Sequence, residues 1–563
     1  MWLPQNWLAL NRNWFLRNNS RLAAHRNHNV AGERHFLSQQ PFDRITVGTD
    51  MTPPDSQSPS PSRFKRLVRR CLQAIAAVCL AALLWVAYSL RDRNPGYTIN
   101  VRIDPQQSHT SARPFRAGFS REKINPNLND PQHPVWLAGF SNGRAATRIH
   151  DDLWAVASVL DDGYSRLGIV VIDAIGFFHD DVIAVRKAVP ESAQFDYIVV
   201  CSTHNHSTPD LMGLWGPHVL RSGVDRVYRQ QVIDAASKSL TDAAAALQPA
   251  RMEFHEIPTP PEGLVVDTRK PDVYDADLRV LLFRSTTSPT VLGSIVNWGN
   301  HPETPWSRNT EITADFPGIL REALEDGIRY GDELKVPGLG GIHLFANGCV
   351  GGLMTTHPSV TVRDPFLQKD FKEPSHDKTR ALGHQLARRI LDRISNANVP
   401  TTTHAPIGIQ ARTVHIPLDN KNFLLAIGLG VLERGQARWL QFRTEIAAIT
   451  VGDASIACIP GEIYPELVNG GVVKAPGADF DIDPVEIPPI REWMPGKIKL
   501  VFGLANDEIG YIIPKSEWDT QAPYLYGKTS PVYGEVNSVG PDTAGILHKA
   551  LRELVVPSRA PSP

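Results

Sequence analysis

One apolar stretch constrains the architecture of this chain more than any other feature of its sequence. The stretch CLQAIAAVCLAALLWVAYSL, Cys71 to Leu90, contains no charged residue and is long enough to cross a lipid bilayer. The basic segment RFKRLVRR directly precedes it, and a basic block before an apolar span holds that end in the cytoplasm. The sequence therefore predicts a transmembrane signal anchor over residues 67–90, with the domain after it exported to the periplasm or the extracellular space.

Two other interpretations of this stretch are possible from the sequence. A core helix of a soluble protein is one, although such helices rarely run this long without a charge. A cleaved signal peptide is the other, but no clear small-x-small cleavage site follows the apolar run. The pattern favours an uncleaved anchor over both.

The residues around the span are predicted to lie outside the folded domain. Met51 to Ser62, MTPPDSQSPSPS, is rich in proline and serine and is typical of a disordered linker. Residues 1–50 are interpreted either as a disordered cytoplasmic tail or as an over-extended gene model whose true start is Met51. Residues 91–114 are polar and irregular and predict a stalk, and residues 557–563 predict a disordered tail.

Composition excludes some functions and leaves others open. The 563 residues carry a formal net charge of −1, which gives no electrostatic reason to expect a nucleic acid as partner. Only three of the five cysteines, Cys201, Cys349 and Cys458, follow the span, and they are widely spaced. Neither a disulfide framework nor a CxxC zinc site is indicated.

Segments typical of strands and helices alternate after the stalk. This mixture predicts an α/β fold in which mixed β-sheets are flanked by helices, formed as one domain over residues 115–556. The strand predictions are RLGIVVIDAIGF, DYIVVCST, DLRVLLFR, VLGSIVNWGNH, IHLFANG, GIQARTVHIPL, EIAAITVGDASIACIPGE and KIKLVFGLANDEIGYIIP. The helix predictions are RVYRQQVIDAASKSLTDAAAAL, DKTRALGHQLARRILDRI and TAGILHKALREL.

Three of the predicted strands end in residue types that serve as metal ligands in proteins. DYIVVCSTHNHS ends in His204 and His206, whose side chains would share a face if the strand continued through them. VLGSIVNWGNH ends in His301, and IACIPGE ends in Glu462 after a Pro-Gly turn that would expose the carboxylate. Each residue alone has an ordinary structural explanation, but a zinc site needs three or four such ligands brought from separate elements. The repetition predicts a metal site.

The order of motifs along the chain resembles the catalytic domain of neutral ceramidases. THNHSTP stands where that family has a THTHSGP-type motif, and IPGEI where it has a VPGEF-type motif. The resemblance covers residues 115–556 and is carried by GFSREKINP, LAGF, RIHDDLWAVASVLDDG, VIDAIGF, CSTHNHSTP, DTRKPDVYDADLRVLLF, NWGNHPE, FANGCVGGLM, IPGEIYPEL, GLANDEIGYIIPKSEW and PVYGE.

The resemblance implies a zinc-dependent amidase that hydrolyses the N-acyl bond of ceramide or a related amphiphilic N-acyl lipid. It implies one Zn²⁺ per chain, and the implied ligands are His204, His301, Glu462 and Tyr511. It also implies catalytic roles for Tyr511, His206 and Arg269, and a substrate pocket lined by His206, Arg269 and either or both of Tyr524 and Tyr526.

One departure from the family pattern bears on the chemistry. Neutral ceramidases carry a GDVSPN-type motif whose serine is required for amide cleavage, whereas this chain has GGLMTT, with Met354 at the serine position. Methionine can neither attack a carbonyl nor donate a hydrogen bond. Activation of water by zinc would survive this loss. The alternatives are a hydrolase of another amide or ester, or a non-catalytic metal-binding homologue; the oligomeric state stays open.

Overall fold

The computed structural model describes residues 61–105, 113–130, 132–397 and 399–556. The predictions for residues 1–60 and for the tail 557–563 lie outside these ranges. Helix α1 spans Pro61–Leu90. Its residues up to Ala87 belong to one compact unit, and Tyr88 begins the second unit. By length and composition the helical segment Arg63–Leu90 could cross a membrane. Its mean hydropathy is 2.1, and no residue of its most apolar 18-residue window is buried.

Each predicted strand and helix corresponds to one or more elements of the second unit, which also has strands at residues 116–123, 154–161 and 248–257 and a helix at 179–188 that were not predicted. The strands are β1 (Asn100–Ile103), β2 (Arg116–Lys123), β3 (Arg148–Ile149), β4 (Trp154–Asp161), β5 (Arg166–Ile172), β6 (Tyr197–Ser202), β7 (Gln248–Ile257), β8 (Leu278–Ser285), β9 (Val291–Trp298), β10 (Glu311–Ile312), β11 (Ile328–Tyr330), β12 (Glu333–Val336), β13 (Ile342–Asn347), β14 (Val362–Arg363), β15 (Asp370–Phe371), β16 (Thr401–Thr402), β17 (Ile407–Pro417), β18 (Gln441–Val451), β19 (Ala454–Cys458), β20 (Glu462–Ile463), β21 (Ile498–Phe502) and β22 (Tyr511–Ile512). The helices are α2 (His179–Ala188), α3 (Arg226–Ala245), α4 (Asp315–Asp326), α5 (His376–Asn396), α6 (Lys421–Gly428), α7 (Pro465–Asn469), α8 (Ile490–Trp493), α9 (Tyr533–Val536) and α10 (Thr543–Val555).

A nine-stranded mixed sheet forms one layer. Its strand order is β13-β9-β8-β7-β2-β4-β5-β6, with β16 also paired to β7. The two ends of this order are parallel pairs, β13 with β9 and β5 with β6, and the middle is antiparallel. Buried runs such as IVVI in β5 and YIVVCS in β6 suit strands that are covered on both faces.

A five-stranded sheet, ordered β1-β17-β18-β19-β21, forms a second layer. Its edge strand β1 lies inside the segment for which the sequence predicts a stalk, and Asn100 to Ile103 pair with Arg412 to Ile409 of β17. Part of that segment therefore belongs to the sheet structure of the domain. The connection between β18 and β19 is a two-residue turn that begins at Gly452, whose φ of +57° favours glycine.

Apolar side chains fill the space between the two sheets. Ile169 and Leu281 from the large sheet share one core with Ile409, Ile449 and Leu500 from the small sheet. Helices α2 and α3 cover one part of the outer face of the large sheet, and α4 and α5 cover another part. Helix α10 packs on β17 and β18 of the small sheet. The predicted α/β fold of mixed sheets flanked by helices is confirmed.

The large sheet is curved so strongly that its two ends meet. β6 and β13 are at opposite ends of the strand order, yet the Asn347 side chain at the end of β13 donates hydrogen bonds to the carbonyls of Thr203 (2.8 Å) and Asn300 (2.9 Å). Thr203 directly follows β6, and Asn300 follows β9. The segments that leave these three strands are thereby held together, and they carry the candidate site.

Candidate metal centre

His204 is positioned by a sharp turn after β6. The strand ends at Ser202 and His204 has a φ of +66°, so the condition under which the two histidines would share a strand face is not met. The turn nevertheless brings the two rings together, with centroids 5.0 Å apart. His204 Nδ1–H donates to the Ile175 carbonyl at 2.7 Å, and this leaves Nε2 as an unprotonated nitrogen.

His301 is held in the same manner from a different strand. It follows β9, and its Nδ1–H donates to the carbonyl of Met354 at 2.7 Å. The backbone N–H of His301 donates to that same carbonyl at 3.0 Å, so the loop after β13 fixes both the main chain and the ring. Its Nε2 therefore points away from Met354 toward His204, whose ring centroid is 4.7 Å distant.

Glu462 and Tyr511 meet because β20 and β22 are paired in parallel. Their register places Glu462 directly opposite Tyr511. Glu462 Oε2 lies 3.3 Å from His204 Nε2 and 3.1 Å from His301 Nε2, and the Tyr511 hydroxyl lies 3.5 Å from His301 Nε2. The sequence predicted that the Pro-Gly turn would expose Glu462, and this is wrong: both side chains are fully buried.

The donor set of this cluster fits a divalent transition metal. The Nε2 atoms of two imidazoles converge on one carboxylate oxygen, because both Nδ1–H groups are bound to backbone carbonyls. Among the described residues His204 Nε2 and Glu462 Oε1 have no hydrogen-bond partner. Burial opposes ionisation of Glu462, yet His204 and His301 hold its pKa well below the ordinary value. Buried nitrogens and oxygens of this kind are the ligands that zinc binds in proteins. His204, His301, Glu462 and Tyr511 therefore have the chemistry and proximity that the metal requires.

His206 lies beside this cluster and forms a chain with two residues that were not predicted from the sequence. Its Nδ1 is 3.1 Å from Glu303 Oε2, and Glu303 Oε1 accepts a hydrogen bond from Thr355 Oγ1 at 2.6 Å. Burial lowers the pKa of His206 to about 3, so the ring is neutral at physiological pH. Gly139, with a φ of +80°, allows the close approach, because a Cβ there would lie 2.6 Å from His206 Nδ1. The position of Glu303, two residues after His301, was the available sequence signal.

Arg269 is placed differently from the other predicted catalytic residues. Its guanidinium donates to Glu535 Oε1 and to the Glu517 carbonyl, each at 2.9 Å, and lies 4.0 Å from Glu466 Oε1. Tyr464 links this acidic group to the metal cluster: Arg269 stacks on the Tyr464 ring at 4.8 Å, and that ring packs against Tyr511 with centroids 6.1 Å apart. The contacts of Arg269 are therefore those of a residue that supports the site from behind Tyr464.

Of the two predicted pocket tyrosines, Tyr526 lies near this acidic group. Tyr526 is 55% exposed, and burial together with the nearby Glu517 raises the pKa of its hydroxyl. Tyr524 is half-buried and precedes the short 3₁₀ turn Leu525–Gly527.

A second group of possible metal ligands lies on the surface. His150, Glu311 and His376 come close together, and the two imidazole rings stack with centroids 3.7 Å apart and planes 6° from parallel. Nitrogen lone pairs lie in the ring planes, so parallel rings do not direct them to a common point. This arrangement suits metal binding less well than the buried cluster does.

Met354 contributes its backbone to the site and its side chain to the core. The carbonyl accepts both hydrogen bonds from His301, while the fully buried side chain packs in the cluster that contains Trp298, Phe316 and Phe345. The next residue, Thr355, donates its side-chain hydroxyl to Glu303 Oε1 at 2.6 Å. Position 354 therefore points away from the candidate metal centre.

We expect Met354→Ser to destabilise the protein without creating a serine nucleophile. Removing a buried methionine side chain costs about 2–5 kcal/mol, and burying an unpaired hydroxyl adds to this. The measurement is the free energy of unfolding by urea titration, together with the rate of amide hydrolysis. Met354→Leu conserves volume and serves as the control. An increase in amide hydrolysis by the serine variant alone would contradict the orientation of this side chain toward the core.

Comparison with known proteins agrees with this architecture at the level of the fold. No protein-family model matches the chain, and no curated protein matches it. Among solved structures, neutral ceramidase from Pseudomonas aeruginosa superposes with a TM-score of 0.57 at 16% sequence identity, covering 79% of this chain and 74% of that one. The chain has the neutral-ceramidase fold. A second structure, a ceramidase complexed with C2, superposes with the same TM-score and identity and is covered to 75%.

The neutral-ceramidase fold supports the resemblance found from the motifs. At 16% identity the shared property is the architecture, and the prediction of this fold from ordered short motifs is confirmed. The chemistry has to be argued from the side chains of this chain. The ring nitrogens of His204, His206 and His301 lie within 4.8 Å of one another, and Glu462 Oε2 contacts His204 and His301.

Proposed function

We propose that this protein is a metal-dependent amidase that hydrolyses the N-acyl bond of an amphiphilic amide such as ceramide. The observation that carries the proposal is the convergence of His204 Nε2 and His301 Nε2 on Glu462 Oε2 in a buried cluster. The neutral-ceramidase fold is consistent with it. One Zn²⁺ would be held by His204, His301, Glu462 and Tyr511. When bound, such an ion polarises a carbonyl and lowers the pKa of water.

The surrounding residues have defined tasks in this proposal. His206 Nε2 has no hydrogen-bond partner among the described residues, so it is free to accept a proton during attack of water on the amide and to return it to the leaving amine. Glu303 orients His206 and is itself fixed by Thr355. Burial and the neighbouring Glu462 raise the pKa of Tyr511 well above its ordinary value, so in the absence of a metal its hydroxyl stays protonated and can donate a hydrogen bond. Arg269 keeps Tyr464, and through it Tyr511, in place.

The experiment that tests the proposal measures release of both products from ceramide. Full-length protein in detergent is incubated with ceramide before and after treatment with a zinc chelator, and free fatty acid and sphingoid base are quantified by mass spectrometry. We expect release that the chelator abolishes and that added Zn²⁺ restores. His301→Ala, which removes one imidazole, is the inactive control. The proposal of a hydrolase would be contradicted if folded, zinc-loaded protein released no product from ceramide and none from a matched fatty-acid ester.

We propose further that α1 anchors the domain to a membrane and that the domain is exported. The apolar helix and the basic residues at its start support this orientation. An anchor would hold the site near amphiphilic substrates. Protease added to cells from which any outer membrane has been removed should cleave the domain but not the residues before Arg63. Protection of the domain in such cells, with cleavage after lysis, would contradict export.

A further inference from the structure

A buried arginine that no sequence motif marks lies beside the candidate metal centre. Arg144 is 6% exposed, and its Nη2 donates to the carbonyls of Ala138 (2.8 Å) and His206 (2.5 Å). The bond to His206 attaches the guanidinium to the segment that also carries His204. Its position is fixed by the main chain, since Leu137 N–H donates to the Arg144 carbonyl.

Three of the five N–H donors of this guanidinium are unused. Among the described residues, neither Nε nor Nη1 of Arg144 has a hydrogen-bond partner, although both atoms are buried. Leaving buried charged donors without acceptors is costly. Burial lowers the pKa of Arg144 to about 10, so the side chain remains charged at neutral pH. A buried cation with free donors is suited to an anionic ligand.

The neighbouring groups do not use these donors. Glu303 is the acidic group that interacts electrostatically with Arg144, but its two oxygens are engaged by His206 and Thr355. The aromatic ring of Phe140 lies 5.1 Å from the guanidinium, and Phe140 also packs against His206 and the partly exposed Trp306. The Phe140 ring therefore covers the Arg144 guanidinium and also contacts both His206 and Trp306.

We infer that Arg144 recognises a carboxylate group on the ligand of this site, close to the scissile amide. The inference rests on the proposed function, because it places the carboxylate beside the same metal centre. The favoured ligands are then N-acylated amino acids or fatty acids, and a neutral N-acyl alcohol such as ceramide is a weaker one.

Binding to metal-free protein tests this inference independently of catalysis. Full-length protein is treated with a chelator so that no metal can bind carboxylates, and isothermal titration calorimetry measures the affinity for three probes of equal acyl length. The probes are octanoate, N-octanoylglycine and the neutral N-octanoylethanolamine. We expect at least one of the carboxylates to bind about tenfold to a hundredfold more tightly than the neutral amide, as hydrogen bonds to a charged group suggest.

Variants of Arg144 identify the source of that preference. Arg144→Gln should remove it, and Arg144→Lys, which keeps the charge, should retain part of it. Arg226→Gln is the matched control, because Arg226 pairs with Glu433 and its side chain is 76% exposed. Circular dichroism checks that each variant is folded. If Arg144→Gln does not fold, the comparison of the three probes on wild-type protein still tests the inference.

The two possible sources of the carboxylate give different results. Preference for N-octanoylglycine identifies an acylated amino acid as the substrate class, and preference for octanoate alone identifies recognition of the acid product. Equal affinity of wild-type protein for all three probes overturns the inference, as does an undiminished preference in Arg144→Gln. Neither result depends on whether ceramide is hydrolysed, so failure of this inference and failure of the amidase proposal are distinguishable.

Discussion

Glu462→Gln is expected to abolish tight zinc binding and to lower amide hydrolysis by more than about 100-fold. The carboxylate of Glu462 contacts both His204 Nε2 and His301 Nε2, so it supplies the negative charge around which the ligands converge. Loss of a residue that merely orients a metal ligand typically costs about 10- to 100-fold. Loss of a ligand itself, with its charge, should exceed that range.

The measurement is zinc content by mass spectrometry after dialysis, together with the steady-state rate on the substrate that the wild-type protein hydrolyses. Glu486→Gln is the matched control, because Glu486 is also buried but lies near Gly545 of α10. The control should keep one zinc per chain and its activity. Full zinc occupancy and an unchanged rate in Glu462→Gln would show that the metal site lies elsewhere.

Glu445→Gln is expected to destabilise the folded domain by about 3–5 kcal/mol, which is the usual cost of leaving one partner of a buried ion pair uncompensated. Glu445 on β18 of the small sheet binds Arg186 of α2 through both oxygens, at 2.7 and 2.8 Å. It also accepts a hydrogen bond from the Tyr197 hydroxyl of β6. The carboxylate therefore joins the small sheet to a strand and a helix of the large-sheet layer.

The free energy of unfolding by urea titration measures this effect. Arg186→Met combined with Glu445→Leu should recover most of the loss, because an apolar pair leaves no buried charge. Asp453→Asn is the control: Asp453 pairs with Lys497 at the surface, where such pairs contribute about 0–1 kcal/mol. A change below about 1 kcal/mol in Glu445→Gln, no larger than that of a surface pair, would contradict the expected role.

The buried ion pair between Arg186 and Glu445 also predicts that the stability of the domain depends on pH. Burial would raise the pKa of Glu445, but Arg186 lowers it below the ordinary value. A carboxyl group whose pKa is lowered on folding contributes stability above its unfolded pKa and loses that contribution as the pH falls through its folded pKa. Acid should therefore reduce the stability difference between wild type and Glu445→Gln. A difference that stays constant down to the acid limit of folding would contradict this linkage.

The strands and several site residues were predictable from local sequence because each carries its own signal. Continuous apolar runs predicted β5, β6 and β9, and the histidines that follow two of them marked strand ends. Glu462 was marked by the Pro-Gly turn that precedes it. These signals depend on neighbours along the chain, which is the information a sequence holds most directly.

Other properties of the site could not be predicted, because they depend on contacts between distant segments. Burial of Glu462, the association of Arg269 with three glutamates, and the orientation of Met354 toward the core all result from packing. Arg144 has no neighbouring motif that distinguishes it from a surface arginine. Its burial is created by Phe140 above it and by the His206 segment to which it bonds.

The sequence by itself determined the types of residue at the site, the strands that end near them, the apolar helix α1 and, through ordered motifs, the neutral-ceramidase fold. Tertiary structure alone decided that these residues meet. β6 and β13 are at opposite ends of the large sheet, and only the curvature of that sheet, fixed by Asn347 across the gap, brings His204 to His301. Strand order and curvature arise from pairing between remote segments and from packing of two sheets on one core, which no local pattern encodes.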